Sequence, residues 1–157
     1  MASAKTKPFE VFETITATTG GATKTIDLNT FVNVAEMEAF GVESIEIGVD
    51  ATDATPGSSE FMAQVALVDL SGGFISHADY DSLYCSYTEV PTGFREESLS
   101  LGDVAEIRYV PGGQLQVRVQ ETTGGTSLLY VRITGKISKL SAKDYMSLAL
   151  TQSLSDN

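Results

Sequence analysis

Few residues of this chain are spaced so as to do chemistry, and most of those lie in one stretch, His77-Ala78-Asp79-Tyr80-Asp81. Alternate residues of a loop or strand can converge on one ion or flank a reacting group, so this stretch is the candidate for a metal or an acid/base pair. It is incomplete for either. His77 is the only histidine and Cys85 the only cysteine, so a zinc site lacks its further nitrogen or sulfur ligands, and the glycine and glutamate of a calcium loop are missing. Cys85 and His77 have no third member to orient them as nucleophile and base. The chain has no Gly-x-Ser-x-Gly elbow, no Gly-x-Gly-x-x-Gly and no phosphate loop. The expectation is no catalytic residue, no bound metal and no cofactor. What the stretch does offer is aromatic: His77, Asp79, Tyr80, Asp81, Tyr84 and Tyr87 form an alternative ligand site of tyrosines beside carboxylates.

Two other residue sets point to contact rather than reaction. Glu106, Arg108, Gln116, Arg118, Tyr130 and Arg132 all fall on even positions of three successive alternating segments. Side by side, those segments would place Glu106 opposite Arg118, and Arg108 and Arg132 opposite Gln116. A solvated sheet face is the plain reading, its ion pair contributing only a few tenths of a kcal/mol. Arginine with glutamine and tyrosine is also the composition of a polar subunit interface. Near the C-terminus, Tyr145 and Leu148 make one apolar stripe at helical spacing, and Met146 and Leu150 make another. A helix apolar over more than half its circumference needs more than one packing surface.

The elements that must position these residues are mainly strands. In the stretch 103–135, Pro111-Gly112-Gly113 and Thr123-Gly124-Gly125 separate segments whose apolar residues are all odd: Ala105, Ile107 and Tyr109; Leu115, Val117 and Val119; Leu129, Val131 and Ile133. Three-residue loops ending in glycine preserve that parity, which predicts an antiparallel meander with Tyr109 opposite Leu115 and Val119 opposite Leu129. Upstream, strands are expected at 9–17, 23–28, 44–50, 60–70 and 74–76 with 83–89, and the last three at 104–110, 114–122 and 126–139. The turn Thr19-Gly20-Gly21 would set Phe12 opposite Leu28. Segment 60–70 is apolar on both parities and predicts a strand covered on both faces, one of them by an outside surface. Asn29 and Thr30 ahead of Phe31, Val34 and Met37, with Gly41 beyond, predict a short helix near 31–40. Ser141 with Asp144 three residues later predicts a C-terminal helix near 142–153.

The fold class is therefore all-β: an eight-stranded antiparallel β-sandwich with two helices. It is read as one domain over 1–157, with 1–7 as a flexible N-terminus and 141–157 as helix and tail. With 21 acidic and 10 basic residues the formal net charge is −11, the wrong sign for a domain that coats nucleic acid. A lone cysteine excludes an internal disulfide and is expected to be a small buried hydrophobe. The opening lacks a signal-peptide run, and no apolar stretch reaches the ~20 residues of a transmembrane helix, so the chain is read as a soluble intracellular product.

Strand count, chain length, a helix after the second strand and an acidic chain with apolar ends resemble the single jelly-roll capsid proteins of small icosahedral viruses. The resemblance implies a virion structural protein, made as a soluble cytoplasmic protein of the host cell. It also implies self-association into a homo-oligomer, with other virion proteins as further partners and no enzyme activity; the basic arm that many such proteins use on nucleic acid is missing here, so no direct contact with nucleic acid is expected. The tight turns at 111–113 and 123–125 fit an up-and-down meander better than a jelly roll, whose crossovers are longer. A carbohydrate- or receptor-binding β-sandwich, such as a spike or lectin-like module using Tyr80, Tyr84 and Tyr87, is the alternative.

Overall fold

The computed structural model describes residues 3–49, 60–89, 96–100, 108–123 and 126–155. Their strands are β1 (Ser3–Ala17), β2 (Ala22–Asp27), β3 (Glu38–Val49), β4 (Glu60–Ala66), β5 (Ser82–Glu89), β6 (Glu96–Ser100), β7 (Arg108–Val110), β8 (Gln114–Glu121) and β9 (Ser127–Lys139). Helix α1 (Ala142–Ser155) follows them. One sheet has the order β1-β9-β3-β6, with β7 also paired to β3, and the other has the order β2-β8-β4-β5. Strand β6 pairs with 44–48 of β3 and β7 with 40–42, so the two occupy successive parts of one edge position. That leaves two antiparallel sheets of four positions each, the strand order of a jelly roll.

This topology replaces the meander. Strand β8 pairs with β2 and β4, whereas β9 pairs with β1 and β3; Leu115 faces Ile26, and Leu129 faces Ile15 and Val49. The turn at 111–113 carries the chain from one sheet to the other. Gly112 and Gly113 do take positive φ, 125° and 84°, but what they permit is a corner in which Gly113 N donates to Asn29 Oδ1 at 3.0 Å and Gly113 O accepts from Leu28 N at 2.9 Å. The turn at 19–21 is likewise a corner: Phe12 lies opposite Arg132 and not Leu28. Odd parity in β8 and β9 records that each strand faces the same core from opposite sides.

The core lies between the sheets. From one side come Val11, Ile15, Ala17, Leu129, Val131 and Ile133, and from the other Ile26, Phe61, Ala63, Val65, Leu115, Val117 and Val119. Phe40 and Phe61 are both 1% exposed, each burial contributing about 2–3 kcal/mol. Strand β3 shows how local geometry serves this packing. A register shift between Val42 and Ser44 inserts one residue, so that even-numbered Phe40 and Val42 and odd-numbered Ile45 and Ile47 all point inward. The change of parity hid the first half of β3 from a period-2 reading. The predicted helix at 31–40 is instead two 3-10 turns, Leu28–Thr30 and Val34–Glu36, capped by the side chains of Asp27 and Asn33, and β3 begins at Glu38. Val32 and Val34 disfavour a continued helix, and Met37 closes the second turn at φ 58°.

Strand β4 is covered on both faces, but the second cover comes from its own chain. Residues 67–81 fold over the outer face of the β2-β8-β4-β5 sheet: Gln64 Nε2 donates to Ile75 O at 3.0 Å, and Ile75 N donates back to Gln64 Oε1 at 3.0 Å. Leu70 beneath this excursion is fully buried. Strand β6, at 96–100, lies where the sequence pattern implies only a charged connection.

Candidate functional site

The residues of 77–87 do not converge. Ser76, Asp79 and Asp81 build a turn: Asp79 N donates to Ser76 O at 3.0 Å, and Asp81 N donates to Asp79 Oδ1 at 3.1 Å, which commits the Asp79 carboxylate to the backbone. His77 and Tyr80 are exposed, but Asp81 is buried. Arg108 covers Tyr80, with Cζ 3.7 Å from the ring centroid and Nη2 donating to Tyr80 O at 2.5 Å. Tyr84 belongs to the core. Tyr87 stands on the outer face of β5 near the far end, its hydroxyl donating to Glu60 Oε2 at 2.5 Å. Among the described residues no three His, Cys, Asp or Glu side chains group as metal ligands. Cys85 is exposed, not a core hydrophobe, because it points to the outer face opposite Gln64; partial burial of the thiol pushes its pKa up.

The even-numbered surface set is divided between opposite sides of the molecule, since its strands belong to two sheets. Glu106 lies outside the described residues. Gln116 and Arg118 sit on the outer face of the β2-β8-β4-β5 sheet and are buried, 7% and 8% exposed. Gln116 Nε2 donates to Thr25 Oγ1 at 2.7 Å. The Arg118 guanidinium is held by oxygens alone: Leu70 O at 3.2 Å, Ser71 O at 3.4 Å, Gly20 O at 3.3 Å and Thr23 Oγ1 at 3.3 Å, with the Phe74 ring centroid 5.4 Å from Cζ. It ties two corners of the chain to the sheet.

Tyr130 and Arg132 are on the outer face of the β1-β9-β3-β6 sheet, where the backbone register lays out a grid. One row across β1, β9 and β3 is Phe12, Arg132 and Glu46; the next is Thr14, Tyr130 and Gly48; on the other side lie Glu10, Thr134 and Ser44. Phe12 and Tyr130 stack at 6.1 Å between centroids with 17° between planes. Arg132 Cζ is 5.5 Å from the Phe12 centroid and 5.9 Å from that of Tyr130. Its Nε is 3.1 Å from Glu10 Oε1 and its Nη1 3.5 Å from Glu46 Oε1. Phe12 is 51% exposed. The sequence signal that marks this face is an aromatic at Phe12 among Glu10, Thr14 and Thr16 on one parity, a pattern that a hairpin reading of β1 turns inward.

Helix α1 starts on a reciprocal cap. Asp144 N donates to Ser141 Oγ at 3.1 Å and Ser141 Oγ donates to Asp144 Oδ2 at 2.7 Å, and this bond holds the Asp144 carboxyl below the usual carboxylate range. Tyr145 donates its hydroxyl to Pro111 O at 2.9 Å, and desolvation there pushes its pKa up. Leu148 borders a small cleft with Leu67, Tyr80, Arg108, Tyr109 and Pro111. Met146 and Leu150, one turn apart on another face, are each 59% exposed. Between the two 3-10 turns an open depression of about 480 Å³ is lined by Asn29–Ala35 and Glu38; Glu38 accepts from Asn33 N at 2.9 Å.

No protein-family model and no curated protein matches the chain. Solved structures similar to it include a decameric BFDV capsid protein, at 11% identity over 86% of this chain and 98% of that one, with a TM-score of 0.45. Tomato aspermy virus is similar at 15% identity over 90% and 84% of the two chains, with a TM-score of 0.42. The empty head of turnip yellow mosaic virus is similar at 9% identity over 86% and 84%, with a TM-score of 0.34. No helix among the described residues is long and apolar enough to cross a membrane.

Proposed function

We propose that this chain is a virion structural protein, a capsid subunit that self-assembles through its outer surfaces and does no chemistry of its own. The observation that carries the reading is the filling of the jelly roll. Jelly rolls serve as capsid subunits, as lectins and as cupins. A ligand-binding or catalytic use of the interior needs space between the sheets and polar groups converging there. Here that space is occupied by Leu28, Phe40, Ile45, Phe61, Leu115, Leu129 and Ile133, all 1% exposed or less. What remains for recognition is the outside. A lectin-like use of Tyr80, Tyr84 and Tyr87 loses support from the placement of Tyr84 in the core and of Tyr80 under Arg108.

In this reading the described face around Tyr130 and Arg132 and the exposed side of α1 are subunit contacts, and the protein resides in the virion with further virion proteins as neighbours. Light scattering and electron microscopy of the purified chain over a concentration series test it. Discrete oligomers or shells that grow with concentration are expected. A strict monomer at the highest soluble concentration overturns the proposal.

A further inference from the structure

We infer that the outer face of the β1-β9-β3-β6 sheet, centred on Phe12 and Arg132, is where a second copy of this chain docks. The inference deepens the capsid-subunit reading and rests on it. Of the two outer sheet faces, the one bearing Gln64 and Arg118 is already covered by residues 67–81 of the same chain. On the opposite face Phe12 stays 51% exposed among the described residues. An aromatic ring stacked on a second ring, with an arginine beside both, is the composition enriched at the centres of protein interfaces.

Charge selects the occupant. The chain carries a formal net charge of −11, so two copies repel over most of their surfaces. On this face Arg132 stands between Glu10 and Glu46, with its side chain 41% exposed and theirs 52% and 27%. The remaining positions of the grid, Thr14, Tyr130, Gly48, Thr134 and Ser44, are uncharged. A row that presents both signs is complementary to its own copy turned through a two-fold axis. In that arrangement Arg132 of each copy reaches Glu10 or Glu46 of the other, exchanging one ion pair for another without stranding a charge. Strand spacing of ~4.8 Å and ~6.6 Å between same-face residues give about 300 Å² per copy for three strands and three rows. That is smaller than the ~800 Å² per partner of a stable complex, which makes it a weak contact of the kind that repetition in a lattice strengthens.

The test compares four variants by light scattering, each checked for folding by circular dichroism and urea midpoint. Phe12→Glu is expected to raise the concentration needed for association at least about tenfold, whereas Ala78→Glu, exposed in the excursion over the opposite sheet, leaves that step in place. Arg132→Glu alone and the pair Glu10→Arg with Glu46→Arg alone are expected to stay dissociated, and mixing them is expected to restore association. No association by the unmodified chain refutes the capsid-subunit reading itself. Association by Phe12→Glu at the original concentration, or no recovery on mixing folded charge variants, overturns the docking site alone. Binding of a glycan panel that Phe12→Glu abolishes while association persists overturns it in favour of a sugar platform.

Discussion

The ring of Tyr130 lies over Gly48, its register partner on β3: a Cβ at position 48 would stand 2.5 Å from Tyr130 Cζ. Gly48 is therefore kept small by the side chain that crosses it. Gly48→Ala is expected to swing Tyr130 away, disrupt its stacking on Phe12 and cost about 1–2 kcal/mol. At Gly135 the obstruction is less yielding, because a Cβ would meet the carbonyl of Gly41 and, at 3.0 Å, the Phe40 ring. Gly135→Ala is expected to cost about 3 kcal/mol or more. Urea unfolding of the two variants checks the order; equal midpoints would contradict it.

Arg118 acts through the shape of its fork. Four oxygen acceptors surround it, three of them backbone carbonyls, and an ammonium cannot reach such a set at once. Arg118→Lys keeps the charge and is nonetheless expected to lose about 2 kcal/mol by leaving buried carbonyls unpaired. Gly21 belongs to the same unit: its φ is 80°, and a Cβ there would come within 2.6 Å of Arg118 Cζ. A double-mutant cycle between Gly21→Ala and Arg118→Lys is expected to show coupling, with the pair costing less than the sum of its members.

The cap of α1 makes its helicity sensitive to acid. The Asp144 carboxyl titrates below its ordinary value because Ser141 donates to it, so the folded pKa lies below the unfolded one. Stabilisation by this bond is complete above about pH 4, the unfolded aspartate range, and is lost as pH falls through the lower folded value. Amide exchange in residues 142–148 is expected to quicken across that window. Ser141→Ala removes the largest cause of the shift and is expected to weaken the pH dependence.

Cys85 is open to reagents, and its thiol has a raised pKa from partial burial. Alkylation of the native protein is expected to reach one thiol per chain without denaturant, slower at pH 8 than for free cysteine and converging on it as pH rises. A thiol that reacts only after unfolding would contradict the outward placement of β5.

How much of this was legible in the sequence depends on the range of the signal. Alternation along 115–119 and 129–133 correctly assigned the inward faces of β8 and β9, and Ser141 with Asp144 correctly marked the start of α1. Alternation is blind to which neighbour a strand takes. Leu115 and Leu129 look alike because both meet the same core, although one strand lies above it and the other below. Short glycine turns encouraged pairing of consecutive segments, yet the same left-handed geometry at Gly113 serves a corner tied to Asn29, a partner 84 residues away. The surface set then split with its strands. Phe12 went unrecognised as a surface residue for the same reason, since only its true partner, Arg132, shows which way it points.

The pairing of β1 with β9 has a consequence in time. Residues 3–17 leave the ribosome long before their partner at 127–139, the first and last of the described strands. At ~5–20 residues per second, β1 waits on the order of 10 s for its ladder. Neither four-stranded sheet can close before β8 and β9 emerge, so the grid that sets Phe12 beside Arg132 comes into being only after residues 127–139 have been made.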